Sequence, residues 1–149
     1  MKPWLEIAKS KIGQHEQING ENPFIIECLA TTTYPSKQDE TPWCSAFVNW
    51  CLKKVGIKGT NSAAAKSWLD WGAAIDTPEE GCITVIQQKQ ATKDKSTGSA
   101  SGFHVAFWLK QDANYVTLLG GNQHDTVRES DFPLSKYSIK GYRMPKGVL

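Results

Sequence analysis

The strongest constraint on this chain is a change of hydrophobic period near Pro78. Before it, apolar residues recur at helical spacing; after it, they fall into short runs rich in β-branched and aromatic residues. Residues 3–12 place Trp4, Leu5, Ala8 and Ile12 along one helical stripe, and Gly13 supplies a stop. Asn22-Pro23 supplies a cap and a first-turn proline for a second helix over 23–30. Thr41 and Pro42 do the same for a third, whose stripe is Phe47, Val48, Cys51, Leu52 and Val55 and whose end is Gly56. Asn61-Ser62 caps a fourth that runs to about Trp71. Strands are expected over 82–87, 103–109 and 115–119, with a late one at 141–144.

Helices followed by consecutive strands predict an α+β domain rather than a doubly wound parallel sheet. A length of 149 residues fits one domain, 1–149, large enough to bury a core without disulfides or a structural metal. Hydrophobic residues at 40% and charged residues at 21% exclude wholesale disorder, and a net charge of +2 is too small to imply a nucleic-acid partner. Cys28, Cys44, Cys51 and Cys82 form no CxxC pair, so neither zinc nor any other cofactor is expected. Cys44 and Cys51, seven residues apart on one helix, are separated by a rise of about 10.5 Å, too far for a disulfide. The opening residues show no secretory signal and no run is long enough to span a membrane, so stable membrane association is not expected. The stretch 88–102, rich in Lys, Thr, Ser and Gly, is either a flap or a plain connection.

Cys44 stands apart from the other cysteines by its position. With Thr41 as cap it is the third residue of its helix, where free amides and the positive dipole end lower a thiol pKa and favour a nucleophilic thiolate. The N–H groups of Cys44 and Ser45 are candidate oxyanion donors. Of the three histidines, His15 and His124 sit in polar loops, whereas His104 opens the run His104-Val105-Ala106-Phe107-Trp108-Leu109. Alternation puts His104, Ala106 and Trp108 on one face. If residues 110–114 join two antiparallel strands with Leu109 opposite Tyr115, His104 faces Gly120, and Asn122 lies diagonally on the same face as an orienting partner. Gln123 and Asp125 are its rivals, because a one-residue slip exchanges the faces.

The run Glu40-Thr41-Pro42-Trp43-Cys44-Ser45-Ala46-Phe47-Val48-Asn49-Trp50, the strand opening Phe103-His104-Val105, the segment Leu119-Gly120-Gly121-Asn122-Gln123 and the closing Gly141-Tyr142-Arg143 together resemble the CHAP amidohydrolase/peptidase family, and more distantly the NlpC-type cell-wall peptidases. The resemblance spans most of the chain. It implies a papain-like fold in which N-terminal helices pack on a small antiparallel sheet, and a hydrolase acting on peptidoglycan amide bonds. By that carry-over Cys44 is the nucleophile, His104 the general base and then acid, and Asn122 the third catalytic residue. Trp43 and Ser45 are expected at the substrate, Trp43 as the best of six aromatic candidates for a groove wall that also include Tyr34, Trp50, Trp68, Trp71 and Trp108.

A wall enzyme without a visible export signal is expected to act after release by phage lysis, or after delivery into a competitor, in which case an immunity protein is its partner. The competing expectations are an inactive wall-binding or phage structural module, and a cysteine protease acting on another substrate.

Overall fold

The computed structural model describes residues 2–15, 22–32, 43–90, 94, 96–97, 99 and 101–147. Three helices precede the sheet: α1 (Pro3–Lys9), α2 (Pro23–Leu29) and α3 (Cys44–Lys54). Proline stands in the first turn of both α1 and α2, where its missing N–H costs nothing. Asn22 caps α2 as its side chain accepts from the Phe24 N–H at 2.9 Å. Gly56, at φ +77°, follows the end of α3 in the left-handed conformation a helix stop requires. The expected fourth helix is a single 3₁₀ stretch, Ala65–Asp70, capped by Ala64 rather than by Asn61 or Ser62.

Six strands form one antiparallel sheet: β1 (Ala73–Ile75), β2 (Ile83–Gln88), β3 (Phe103–Gln111), β4 (Tyr115–Gln123), β5 (Thr126–Pro133) and β6 (Tyr137–Met144), in the order β1-β6-β2-β3-β4-β5. The molecule is therefore α+β, as its two periods require. Two strands escaped the sequence reading. β5 reads Thr-Val-Arg-Glu-Ser-Asp-Phe-Pro and buries only Val127 and Phe132; as an edge strand it carries charge where an apolar signal was sought. β1 is three residues long, too short for any period to register.

The sheet separates two cores. On one face the helices pack Trp4, Leu5, Leu29, Phe47 and Leu52 against Ile83, Val85, Val105, Phe107 and Leu119. Phe47 and Phe107 meet edge to face with ring centroids 6.3 Å apart. On the other face Ile86, Ala106, Val116, Leu118, Phe132 and Tyr137 form a smaller cluster. α1 is pinned to the start of β2 by the Trp4 indole N–H, which donates to the Gly81 carbonyl at 2.7 Å.

Residues 43–52 are all buried, so the polar side chains of α3 must find partners inside. Ser45 Oγ donates to the Ser62 carbonyl at 2.6 Å and accepts from the Trp68 indole N–H at 2.8 Å. Asn49 Oδ1 accepts from the Asn61 N–H at 3.1 Å. These bonds tie α3 to the segment leading into the 3₁₀ turn, which lies beside Cys44.

The stretch expected to be a flap or a plain connection is anchored where it is described. Asp94, buried, accepts from the Ser96 N–H at 2.9 Å, from Thr97 Oγ1 at 3.0 Å and from the Tyr137 hydroxyl at 2.7 Å. The His124 N–H donates to the Ser96 carbonyl at 2.8 Å. Among the described residues, no helix is long and apolar enough to cross a membrane.

Candidate active site

Cys44 is the first residue of α3, with Trp43 in the capping position. Thr41 and Pro42, the expected cap and first helical residue, lie outside the described residues. The first intrahelical bond runs from the Phe47 N–H to the Trp43 carbonyl at 2.9 Å, so the amides of Cys44, Ser45 and Ala46 have no acceptor within the helix. The sulfur receives backbone N–H groups from Cys44, Ser45 and, across from β3, Val105. These draw the thiol pKa down, yet burial outweighs them and holds it above its ordinary value. The expectation of a thiolate favoured by the helix end is thus corrected. The helix tip is present, but removal from water is the larger effect, and the resting group is a protonated thiol.

All four cysteines are free and buried. Cys28, Cys51 and Cys82 have their thiol pKa values raised by burial too. Cys44 is the one at a helix N-terminus, beside an open cavity of about 460 Å³.

His104 is fully buried near the start of β3. Its Nε2 lies 3.0 Å from Gln123 Oε1. Gln123 cannot be turned round, because its Nε2 donates to the Leu118 carbonyl at 3.2 Å and to the Arg128 carbonyl at 2.7 Å, and carbonyls only accept. The oxygen therefore faces the ring, His104 Nε2 must carry the proton, and Nδ1 holds the lone pair. Nδ1 is buried and has no partner among the described residues. Burial lowers the His104 pKa to about 4, against smaller opposing effects of the Gln123 bond and the Asp94 charge, so the ring is neutral at pH 7.

The residue bonded to the His104 ring is thus Gln123, one of the expected rivals, and Asn122 does not occupy that place. The pairing Phe107 with Leu119 displaces the expected register by two residues and preserves the face, with a bulge near Leu109. A second irregularity lies between Gly120 and Gln123, where Asn122 adopts φ +59°. This extra residue breaks alternation: Gly120 and Gln123 share a face although they are three apart. A Cβ on Gly120 would lie 2.7 Å from Ala106 Cβ and 2.8 Å from Gln123 Oε1. Asp125, the other rival, is exposed in the two-residue turn with His124, both at positive φ. His15 is exposed beside the Gly13 carbonyl.

Alternation along β3 sends Phe103, Val105 and Phe107 toward the helices and His104 and Ala106 toward the second core, where the Phe132 ring lies 5.5 Å from the imidazole. Sulfur and imidazole therefore meet β3 at adjacent residues, Val105 and His104, and no hydrogen bond joins the two side chains.

The side chains of Trp43 and Ser45, expected at the substrate, are both committed to the interior. The Trp43 side chain has no exposed surface; it packs edge to face on Phe47, and Gly121 backs onto its ring because a Cβ there would fall 2.6 Å from Trp43 Cζ3. The Ser45 hydroxyl is committed to Ser62 and Trp68, which leaves only its backbone N–H, directed at the Cys44 sulfur, to act at the site. Trp50 and Trp68 are buried as well, Trp71 and Trp108 are half-buried, and Tyr34 lies outside the described residues. The walls of the cavity at Cys44 come instead from Ala63, Ala64, Ala65, Lys66, Ser99, Ser101 and Phe103. Sequence reasoning missed these because small residues carry no chemical signature; the one available signal was Phe103, the alternate-face neighbour of His104. Among the described residues, no group of His, Cys, Asp and Glu is arranged to hold a metal ion. No known family model matches the chain, and no curated protein matches it significantly.

Proposed function

We propose that this chain is a cysteine-dependent peptidoglycan hydrolase of papain-like arrangement, cleaving an amide bond of the wall through a thioester. The observation that carries the reading is the fixed tautomer of His104: Gln123 holds the proton on Nε2 and leaves the Nδ1 lone pair unused, on the strand residue next to the one whose amide meets the Cys44 sulfur. A buried imidazole with one nitrogen committed and the other unoccupied has the form of a general base.

In the first half-reaction the Cys44 thiol gives its proton to His104 Nδ1 as sulfur bonds the substrate carbonyl carbon. The Cys44 sulfur and the imidazole lie on opposite faces of β3, so this transfer requires the His104 side chain and the start of β3 to rearrange toward the helix side. The developing oxyanion takes the amides at the tip of α3, those of Cys44 and Ser45, as the sulfur gives them up. His104 then protonates the departing amine as the C–N bond breaks. Water, deprotonated by His104, releases the acyl group as a carboxylic acid, and the proton returns to sulfur. The chain reaches the wall after phage lysis or after delivery into a competitor, and in the second case an immunity protein covers the cleft.

Purified sacculi digested with the parent protein are expected to yield new muropeptide termini by mass analysis, which also identifies the bond; Cys44→Ala is expected to yield none. A Cys44→Ala variant as active as the parent removes the proposal. The protonated thiol favours one rival, a wall-binding module without activity. Alkylation of Cys44 separates the two, since a working site labels faster than free cysteine and an inert one does not.

A further inference from the structure

The cavity beside Cys44 has a composition that reads as a specificity pocket. Three consecutive alanines, Ala63, Ala64 and Ala65, line it together with Phe103, and two hydroxyls, Ser99 and Ser101, stand 3.3 Å from one another. Among the described residues, Lys66 is the one charged side chain lining it. The Lys66 ammonium lies 5.7 Å from the centroid of the Phe103 ring, and no carboxylate among the described residues pairs with it. A cation braced on an aromatic wall beside apolar small residues favours an anion held next to a side chain of methyl size.

We infer that Lys66 is a specificity-determining residue: it receives a free carboxylate of the acyl donor while a methyl-sized side chain of the same donor rests on Ala63–Ala65. The inference rests on the hydrolase reading for its substrate, a wall peptide, but not for its test. Short acidic stem peptides fit this chemistry, because an alanyl methyl there neighbours a glutamyl carboxylate. The hydroxyls of Ser99 and Ser101 are placed to meet the peptide group between them.

The test uses binding, so that it stands apart from catalysis. The full chain carrying Cys44→Ala is titrated, by calorimetry or amide chemical shifts, with acetyl-Ala-γ-Glu-Lys whose glutamyl α-carboxylate is free, and with the same peptide as its α-carboxamide. The carboxylate form is expected to bind roughly five-fold tighter at low salt, with the preference shrinking at high salt. Lys66→Gln is expected to abolish the preference and Lys66→Glu to reverse it, with the fold intact because Lys66 is exposed. Equal binding of the two peptides, no binding of either, or a preference that survives Lys66→Gln overturns the inference. A preference that follows Lys66 in a protein whose parent form cleaves no sacculi would retain the pocket and discard the hydrolase.

Discussion

Gln123 fixes the proton of His104 on Nε2, because the two carbonyls that hold the glutamine nitrogen leave its oxygen no alternative but to face the imidazole. The relation turns a side-chain amide, whose two ends are easily exchanged, into a determinate one.

Gln123→Leu is therefore expected to lower kcat on sacculi roughly 100-fold, the scale of a positioned general base. Removing the three bonds should also reduce stability by about 2–4 kcal/mol. Asn122→Gly, which keeps the left-handed conformation without strain, is expected to leave kcat within about two-fold of the parent. A larger loss at 122 than at 123, measured on folded protein, would restore Asn122 as the orienting residue.

His104 titrates at about 4 in the folded chain, against an ordinary 6.5, so the unfolded chain binds its proton first as pH falls. The stabilisation this contributes is complete above 6.5 and disappears as pH descends toward 4, amounting to roughly 3 kcal/mol. Urea unfolding from pH 7 to pH 4 should show the decline, and His104→Gln should flatten it. The same titration predicts that kcat/KM on sacculi rises with pH through about 4 and is level across neutrality.

Ser45 sits beside Cys44 but serves the scaffold through its hydroxyl. Ser45→Ala leaves the Trp68 indole N–H without its acceptor and is expected to cost about 1–3 kcal/mol. Its backbone amide is unchanged, so turnover per folded molecule should stay near the parent value. Denaturation midpoints alongside kcat distinguish this from a substrate contact, which would raise KM.

Gly121 is the point where β4 touches the start of α3. A Cβ there would meet the Trp43 ring at 2.6 Å and Phe47 Cβ at 2.9 Å, so Gly121→Ala must push the helix tip away from the sheet. A loss of about 1–3 kcal/mol is expected from overpacking, with a fall in kcat because Cys44 rides on that tip. Retention of both values would mean that the contact is loose.

How far the sequence could be read depended on which signals were local. The stripe of α3 was legible by its helical spacing although residues 44–52 are all buried, the block from His104 to Leu109 by its run of β-branched and aromatic residues, and Asn22-Pro23 announced α2 by cap chemistry alone. The charged edge strand β5 was invisible since only Val127 and Phe132 of it are buried, too few to leave an apolar alternation. The thiol state of Cys44 was misread for a related reason. Helix position is written in the sequence, but the depth of burial that opposes it depends on what β3 and the 3₁₀ turn place around the sulfur. The choice between Asn122 and Gln123 required a single irregular residue to be located, and alternation does not mark its own interruptions.

That interruption has a consequence for counting. Gln123 pairs with Thr126 across the His124-Asp125 turn, so its place is indexed backward from the hairpin end rather than forward along the strand. A chain shortened by deleting Asn122 would join the pairings on either side into one continuous ladder, and the glutamine would still arrive opposite the imidazole. The distance from the bend, not from Gly120, is what evolution would have to preserve.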